Sequence, residues 1–214
     1  MPGFSARLKA ENAQDWKAAV EHRFVDEIFR GAVPTEVMRR YLVQDYQFID
    51  RFVALLGAAI ATADRFPSRI RFAQFAAMIT SDENTYFQRA FDTLGVSEAE
   101  RAAPALSPVT VAFQSLMGEA AQSRSYAACL AVLAVAEGLY LDWADRPGAA
   151  LPPHFLHAEW ITLHNNPGFA GFVGWLRGEL DRVGEGLDAA STEQARSMFS
   201  RAVALERAFF DHLY

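Results

Sequence analysis

Cysteine is almost missing from this chain: Cys129 stands alone in 214 residues. No intrachain disulfide can brace the fold, and a reducing cytoplasm is the expected setting. Lysine is nearly as scarce, with only Lys9 and Lys17 beside many arginines, and basic residues form no run. At a net charge of −6 the chain lacks the global field that nucleic acid or an anionic membrane surface would need, so neither is an expected partner. Strand signals are weak: there is no alternating β-branched run and no Asn-Gly or Asp-Gly hairpin turn. The G-x-S-x-G, P-loop and Gly-rich dinucleotide motifs are absent too. Residues 1–20 carry Lys9, Glu11, Asp15 and Lys17, which does not suit a signal peptide. The most apolar stretch, 126–141, is too short to span a bilayer and contains Glu137, so it reads as a core helix. With no repeat, low-complexity tract or linker, residues 1–214 read as one soluble domain.

Hydrophobic residues make up 51% and charged residues 21%, enough apolar surface to build a substantial core. Alanine is abundant and apolar residues recur at helical spacing, so the fold class is all-α, a helical bundle. Glycine and proline punctuate it into expected helices over 5–29, 34–64, 66–95, 109–121, 126–144, 153–164, 168–183 and 192–213. A loop with a short helical turn is expected over 96–108. Short connections imply mostly antiparallel neighbours.

Four acids interrupt the apolar stripes of these helices. One stripe reads Met38, Tyr41, Leu42, Asp45, Phe48, Ile49, Phe52, and another Ala76, Ile79, Glu83, Tyr86, Phe87, Ala90. The remaining two read Leu130, Leu133, Glu137, Tyr140 and Phe199, Val203, Glu206, Phe210. Steps of three or four place each set on one helix face. One buried carboxylate is readily a paired structural acid, because burying it unpaired is costly. Four on four helices point to a shared polar cavity, where acids with shifted pKa are candidates for proton transfer. Tyr140 and Tyr86, each one turn from an acid, are placed to hydrogen-bond Glu137 and Glu83.

Other chemistry has less support. Inward carboxylates in a bundle suggest a di-metal centre, but no Asp or Glu has a His three residues later, so no metal and no cofactor are expected. His154 and His157 sit near a proline-containing helix start and are expected at the surface, whereas His164 faces inward. Cys129 lies among Ala and Leu with no cationic neighbour in sequence, which reads as core packing.

These landmarks resemble the TenA/thiaminase II (TENA/THI-4) family, over nearly the whole chain. EHRFVDEIFRGAVP (21–34) is similar to the family's first helix and turn, and YLVQDYQFIDRF (41–52) is the most specific match. The resemblance implies a heme-oxygenase-like fold, with Asp45 on the aspartate that binds the aminopyrimidine. Glu206, in ALERAFF, falls on the catalytic C-terminal glutamate, and Tyr140, in AEGLYLDWA, on an active-site tyrosine. LAVAEGLY has no cysteine beside Glu137, and Cys129 is about two turns too early for the nucleophile of the better-known branch. Phe48, Phe113 and His164 stand where that branch has tyrosines. The chain is therefore similar to the second branch, in which a glutamate takes over.

That branch implies hydrolysis of amino- or formylamino-methylpyrimidine to hydroxymethylpyrimidine in thiamin salvage, by a homotetramer. In this reading Asp45 holds the pyrimidine and Phe48 and Phe113 sandwich its ring, a contact worth about 0.5–1.5 kcal/mol beyond burial. Glu206 protonates the leaving nitrogen, and Glu137, held by Tyr140, activates water. Glu83, Tyr86 and His164 complete the candidate substrate-binding set. Phe172 and Trp175 are candidate exposed interface residues, with core packing equally open. The competing readings are a non-catalytic pyrimidine-binding or regulatory protein and a redox enzyme on the same fold.

Overall fold

The computed structural model describes residues 2–214. The chain opens with three short helices, α1 (Phe4–Glu11), α2 (Ala13–Val20) and α3 (Arg23–Arg30). The long α4 (Thr35–Thr62) follows, then α5 (Phe66–Met78), a π-helical turn (Ile79–Glu83) and α6 (Asn84–Leu94). After the short α7 (Glu98–Ala102) come α8 (Pro108–Gln122), α9 (Tyr126–Ala144), α10 (Phe155–Asn165), α11 (Pro167–Gly184) and α12 (Ala189–Asp211). No strand occurs among the described residues.

The expected helix over 5–29 is three helices, and side chains account for the breaks. Asn12 has left helical geometry at ψ 19°, and its amide donates to the Leu8 carbonyl. His22 is extended at ψ 149°, and its Nδ1 accepts from the Phe24 N–H at 3.1 Å, capping α3. Gly31 and Gly95 end α3 and α6 in the left-handed region, at φ 61° and 65°, where a Cβ is disfavoured. Ser97 and Glu100 form a reciprocal capping box on α7. Ser107, Ser125, Asn166 and Asp188 accept from the first turns of α8, α9, α11 and α12.

The expected helix over 66–95 contains a wide turn. At the π segment the hydroxyls of Thr80 and Ser81 donate back to the carbonyls of Ala76 and Ala77, each at 2.8 Å. The extra residue keeps Ile79, Glu83 and Tyr86 on the inner side, a re-phasing often found at functional sites.

α9 is the axis of the bundle. It packs against α12, α11, α4, α10, α8 and α2, and is buried on nearly every side. That explains its all-round apolar sequence: it is long and apolar enough to cross a membrane, but 83% of its apolar window lies inside the protein. Glu137 is the only charged residue in its first fifteen positions. Of the two placements that the sequence leaves open for Phe172 and Trp175, the structure takes core packing, and the surface expected for His157 is not where it lies. Phe172 is buried, stacked on Phe75 with ring centroids 3.6 Å apart, and Trp175 is half-buried edge-on to Phe72. His154 is exposed and caps α10, but His157 turns inward and is buried, with neither ring nitrogen partnered.

Candidate active site

Asp45 from α4, Glu83 from the π segment, and Glu137 and Tyr140 from α9 line one partly open cavity of about 30 Å³, with His164 of α10. Phe48, Phe52, Ile79 and Trp160 provide apolar walls. No Lys or Arg lines the cavity. Glu206 of α12 is not on the lining; it is only 2% exposed, and its Oε1 has no hydrogen-bond partner. Among the described residues no group of three or more His, Cys, Asp and Glu is arranged to hold a metal ion.

The electrostatics follow from burying four acids with no counter-ion on the lining. Burial, then the charge of Glu83, pushes the Asp45 carboxyl well above the usual range. Glu137 is raised by burial first, then by Glu83, Glu206 and Asp45. Glu206 is raised by burial and then by Asp45. Glu83, on the half-buried wide turn, is pushed by burial to about 8. Like charges so close cannot all ionise, so near neutrality the cluster keeps most of its protons. Burial lowers His164 to about 4, so it is neutral. Its Nδ1–H donates to the Trp160 carbonyl at 2.8 Å, which leaves Nε2 as an acceptor. The chamber thus offers hydrogen-bond donors from neutral carboxyls, a few acceptors and flat aromatic walls.

The structure assembles Asp45, Glu83, Glu137, Tyr140 and His164 with Phe48 on one lining, and sets Glu206 beside it. Three expected contacts do not form. The Tyr140 hydroxyl pairs with Tyr41 at 2.8 Å, not with Glu137, because α4 crosses α9 at that level. The Tyr86 hydroxyl donates to the Leu156 carbonyl at 2.6 Å while its ring stacks on Trp160, so Tyr86 supports the wall from outside. Phe113 is off the lining and meets Phe48 edge-on at 4.9 Å and 78°, so the two cannot sandwich a ring; Phe48 lies beside Phe52 instead, at 5.6 Å and 23°.

Sequence reasoning missed two residues. Tyr41 is fully buried and lies one turn before Asp45 on the same stripe, a phenol at a core position. Trp160 lines the chamber, and its indole N–H lies toward Tyr41 without closing a hydrogen bond of normal geometry. Cys129 is buried, its thiol pushed by burial to about 11, with its Sγ against the Ala120 carbonyl.

Comparison with known proteins gives the same picture along the chain. The family model for TENA/THI-4/PQQC matches residues 10–214. An aminopyrimidine aminohydrolase of Bacillus subtilis is 25% identical over 194 residues, spanning 91% of this chain and 80% of that protein. One from Helicobacter pylori is 22% identical over 213 residues, spanning 95% of each. The crystal structure of a TenA homologue from Pyrococcus furiosus superposes with a TM-score of 0.88 at 22% identity, covering 99% of this chain and 100% of that one.

Proposed function

From the premise that this chain belongs to the TENA/THI-4/PQQC family, we propose that it is an aminopyrimidine aminohydrolase. The observation that carries this is the set of four reluctant acids, three on the lining of one cavity and Glu206 beside it, with no cation on that lining. Such a site suits a flat, neutral, weakly basic molecule. An aminopyrimidine presents a ring nitrogen that accepts and an adjacent amine that donates, and a carboxyl group answers both.

Asp45 reads that edge, and Phe48 covers the ring from one side. Glu206, kept protonated, gives its proton to the leaving nitrogen. Glu137, acting in the molecules where it is the acid that has given up its proton, takes a proton from water, whose oxygen bonds to the pyrimidine methylene carbon as the carbon–nitrogen bond breaks. The products are hydroxymethylpyrimidine and the free amine, and the proton left on Glu137 returns the pair to its starting state. The charge of Glu83 disfavours that of Glu137, so Glu137 takes up the water's proton the more readily while Glu83 is ionised. Covalent attack by Cys129 has no support from its buried, protonated thiol. The cellular role in this reading is thiamin salvage, and the assembly is four copies of the chain. Phe66 and Ile70, exposed at the start of α5, are available for contacts between copies.

Glu206→Gln tests the assignment. It should keep pyrimidine binding and lower turnover by roughly 10²-fold or more, the usual worth of one proton-transfer group. The measurement is release of hydroxymethylpyrimidine from the aminomethyl compound. Normal turnover by this variant removes Glu206 from the chemistry.

A further inference from the structure

α9 turns Glu137 and Tyr140 to the chamber and a different face, Ala134, Gly138 and Asp142, toward α1, α2 and α11. A half-open pocket of about 160 Å³ lies on that second face. Its lining includes Ala6 and Lys9 of α1, Trp16 of α2, Ala134 of α9, Arg177 of α11 and Phe199 of α12. Two cations and no acid stand on it, the reverse of the chamber, which has three acids and no cation. Lys9 is one of only two lysines in the chain.

Asp142, behind the lining, decides what the two cations have to spare. Its oxygens accept from the Lys9 ammonium, from the Trp16 indole N–H at 2.9 Å and from Arg177 Nη2 at 2.8 Å. Burial alone would raise this carboxyl, but Lys9 and Arg177 hold it below its ordinary value, so it is ionised. Two cations less that one carboxylate leave the pocket with one positive charge in excess. Asp181 of α11 is off the lining and accepts from the Ser5 N–H at 2.6 Å. Lys9 keeps two of its three N–H donors, and Arg177 keeps those of Nε and Nη1, without a partner among the described residues. The floor is apolar and fixed. Trp16 and Phe199 are buried and nearly parallel, at 6.0 Å and 13°, and the Lys9 ammonium lies 4.8 Å from the Trp16 ring. Gly138 permits this closeness, since a Cβ there would meet Trp16 at 3.3 Å and Arg177 at 3.5 Å. One cation and the indole would satisfy Asp142, so the second cation is not explained by pairing within the fold.

We propose that this pocket binds a small aromatic acid, a single flat ring carrying one carboxylate or phosphate. The acid group lies between Lys9 and Arg177 and accepts charge-assisted hydrogen bonds from their spare donors. The ring rests on Trp16, Phe199 and Ala134. Sites for larger ligands begin at roughly 300 Å³, so a pocket of about 160 Å³ selects one ring. A neutral ring gains no charge pairing there, and a cationic one is repelled. The pocket shares no lining residue with the chamber, and the inference stands apart from the hydrolase reading.

Titration calorimetry of the full chain with benzoate, phenyl phosphate and benzamide reads this out. At least one of the two acids should bind one-to-one with a Kd of about 1 mM or tighter, and neutral benzamide at least about tenfold more weakly. The tighter acid identifies the head group. Lys9→Met and Arg177→Gln should each weaken the acid at least about tenfold, whereas Lys9→Arg, which keeps the charge, should stay within about threefold of the wild type. Ala6 is exposed, so Ala6→Phe is borne by the fold. It covers the mouth with both cations intact and should also weaken binding at least about tenfold. Asp45→Asn, in the chamber, should leave the affinity unchanged. The site is overturned if neither acid binds up to about 10 mM, or if benzamide binds as well as the acids. Wild-type affinity in Lys9→Met or in Ala6→Phe overturns it too. So does a loss confined to Asp45→Asn, which would put the acid in the chamber. Circular dichroism checks that each variant folds, and if Arg177→Gln does not, Lys9→Met and Ala6→Phe decide the matter.

Discussion

Glu83 holds its proton to about pH 8 because burial disfavours its charged form, whereas in the unfolded chain it would release that proton near its ordinary 4.5. Between those values the folded state binds more protons than the unfolded one, so this group's contribution to stability falls as pH rises. Glu83→Gln removes the ionisation while keeping nearly the same shape. At about 1.4 kcal/mol per pH unit the full interval is worth about 5 kcal/mol, and half-ionisation of Glu83 at pH 8 sets the ceiling there at about 4 kcal/mol. Part of Glu83 remains open to solvent. Screening there halves the expected gain to about 2 kcal/mol. For a chain of this size that raises Tm by about 4–8 °C. Thermal unfolding followed by circular dichroism from about pH 4.5 to pH 8 checks it. The two proteins should melt together at the acid end and separate steadily toward the alkaline end. An equal gain at every pH would mean improved packing, not lost ionisation, and a lower Tm at pH 8 would refute the account of the chamber's electrostatics.

Three further outcomes follow from the same geometry. Asp45→Asn should weaken binding of hydroxymethylpyrimidine by about tenfold or more, read by titration calorimetry, since it loses a charge-adaptable partner to the pyrimidine edge; unchanged affinity takes Asp45 out of recognition. Cys129→Ala should leave turnover within about twofold and cost about 1–2 kcal/mol in urea, because the thiol is buried packing against α8. Loss of activity there would make the cysteine the nucleophile after all. Tyr41→Phe strands the Tyr140 hydroxyl, fully removed from other protein partners, and should cost about 1–3 kcal/mol in the same assay; no cost would show that the pair contributes nothing.

The helices and the acids were legible in the sequence for one reason: both are local patterns. Gly31, Gly95 and the prolines mark ends that the structure keeps, and α9 matches its expected range residue for residue. Asp45, Glu83, Glu137 and Glu206 stand out because each interrupts an apolar stripe, a property of one helix at a time. The failures concern local competition or long-range crossing. Asn12 and His22 split the first helix through their own side chains, a choice that apolar spacing does not register. The wide turn at 79–83 was invisible because a step of four followed by a step of three looks the same across a π turn as along an α-helix. The phenols were misassigned because their partners are far off in sequence: Tyr140 finds Tyr41 at a separation of 99 residues, and Tyr86 finds Leu156 at 70. Phe113 was placed as a second ring-stacking wall, but an edge-on contact with Phe48 depends on how α8 leans on α4, which no single-helix pattern fixes.

A chamber of this kind is destabilising by construction, and that bears on its purpose. Asp45, Glu137 and Glu206 are buried and Glu83 half-buried, no cation lines the cavity, and the charges of Asp45, Glu83 and Glu206 raise the cost of ionising their neighbours. An apolar residue at any of the four positions would pack as well and remove the penalty, so a purely structural role gives no account of them. A ligand with a basic ring nitrogen and a neighbouring amine changes the balance. The nitrogen accepts a proton or a short hydrogen bond from one carboxyl, and the amine donates to another, so one acid can hold negative charge opposite a positive partner. As the carbon–nitrogen bond breaks, charge builds on the leaving nitrogen beside the protonated Glu206, and the interaction strengthens where the reaction needs it. The free energy that the buried acids cost the fold is thereby returned at the transition state. On this logic stability and turnover must move in opposite directions in the Glu206→Gln protein: more stable above neutrality, because an unpartnered buried acid is gone, and nearly inert.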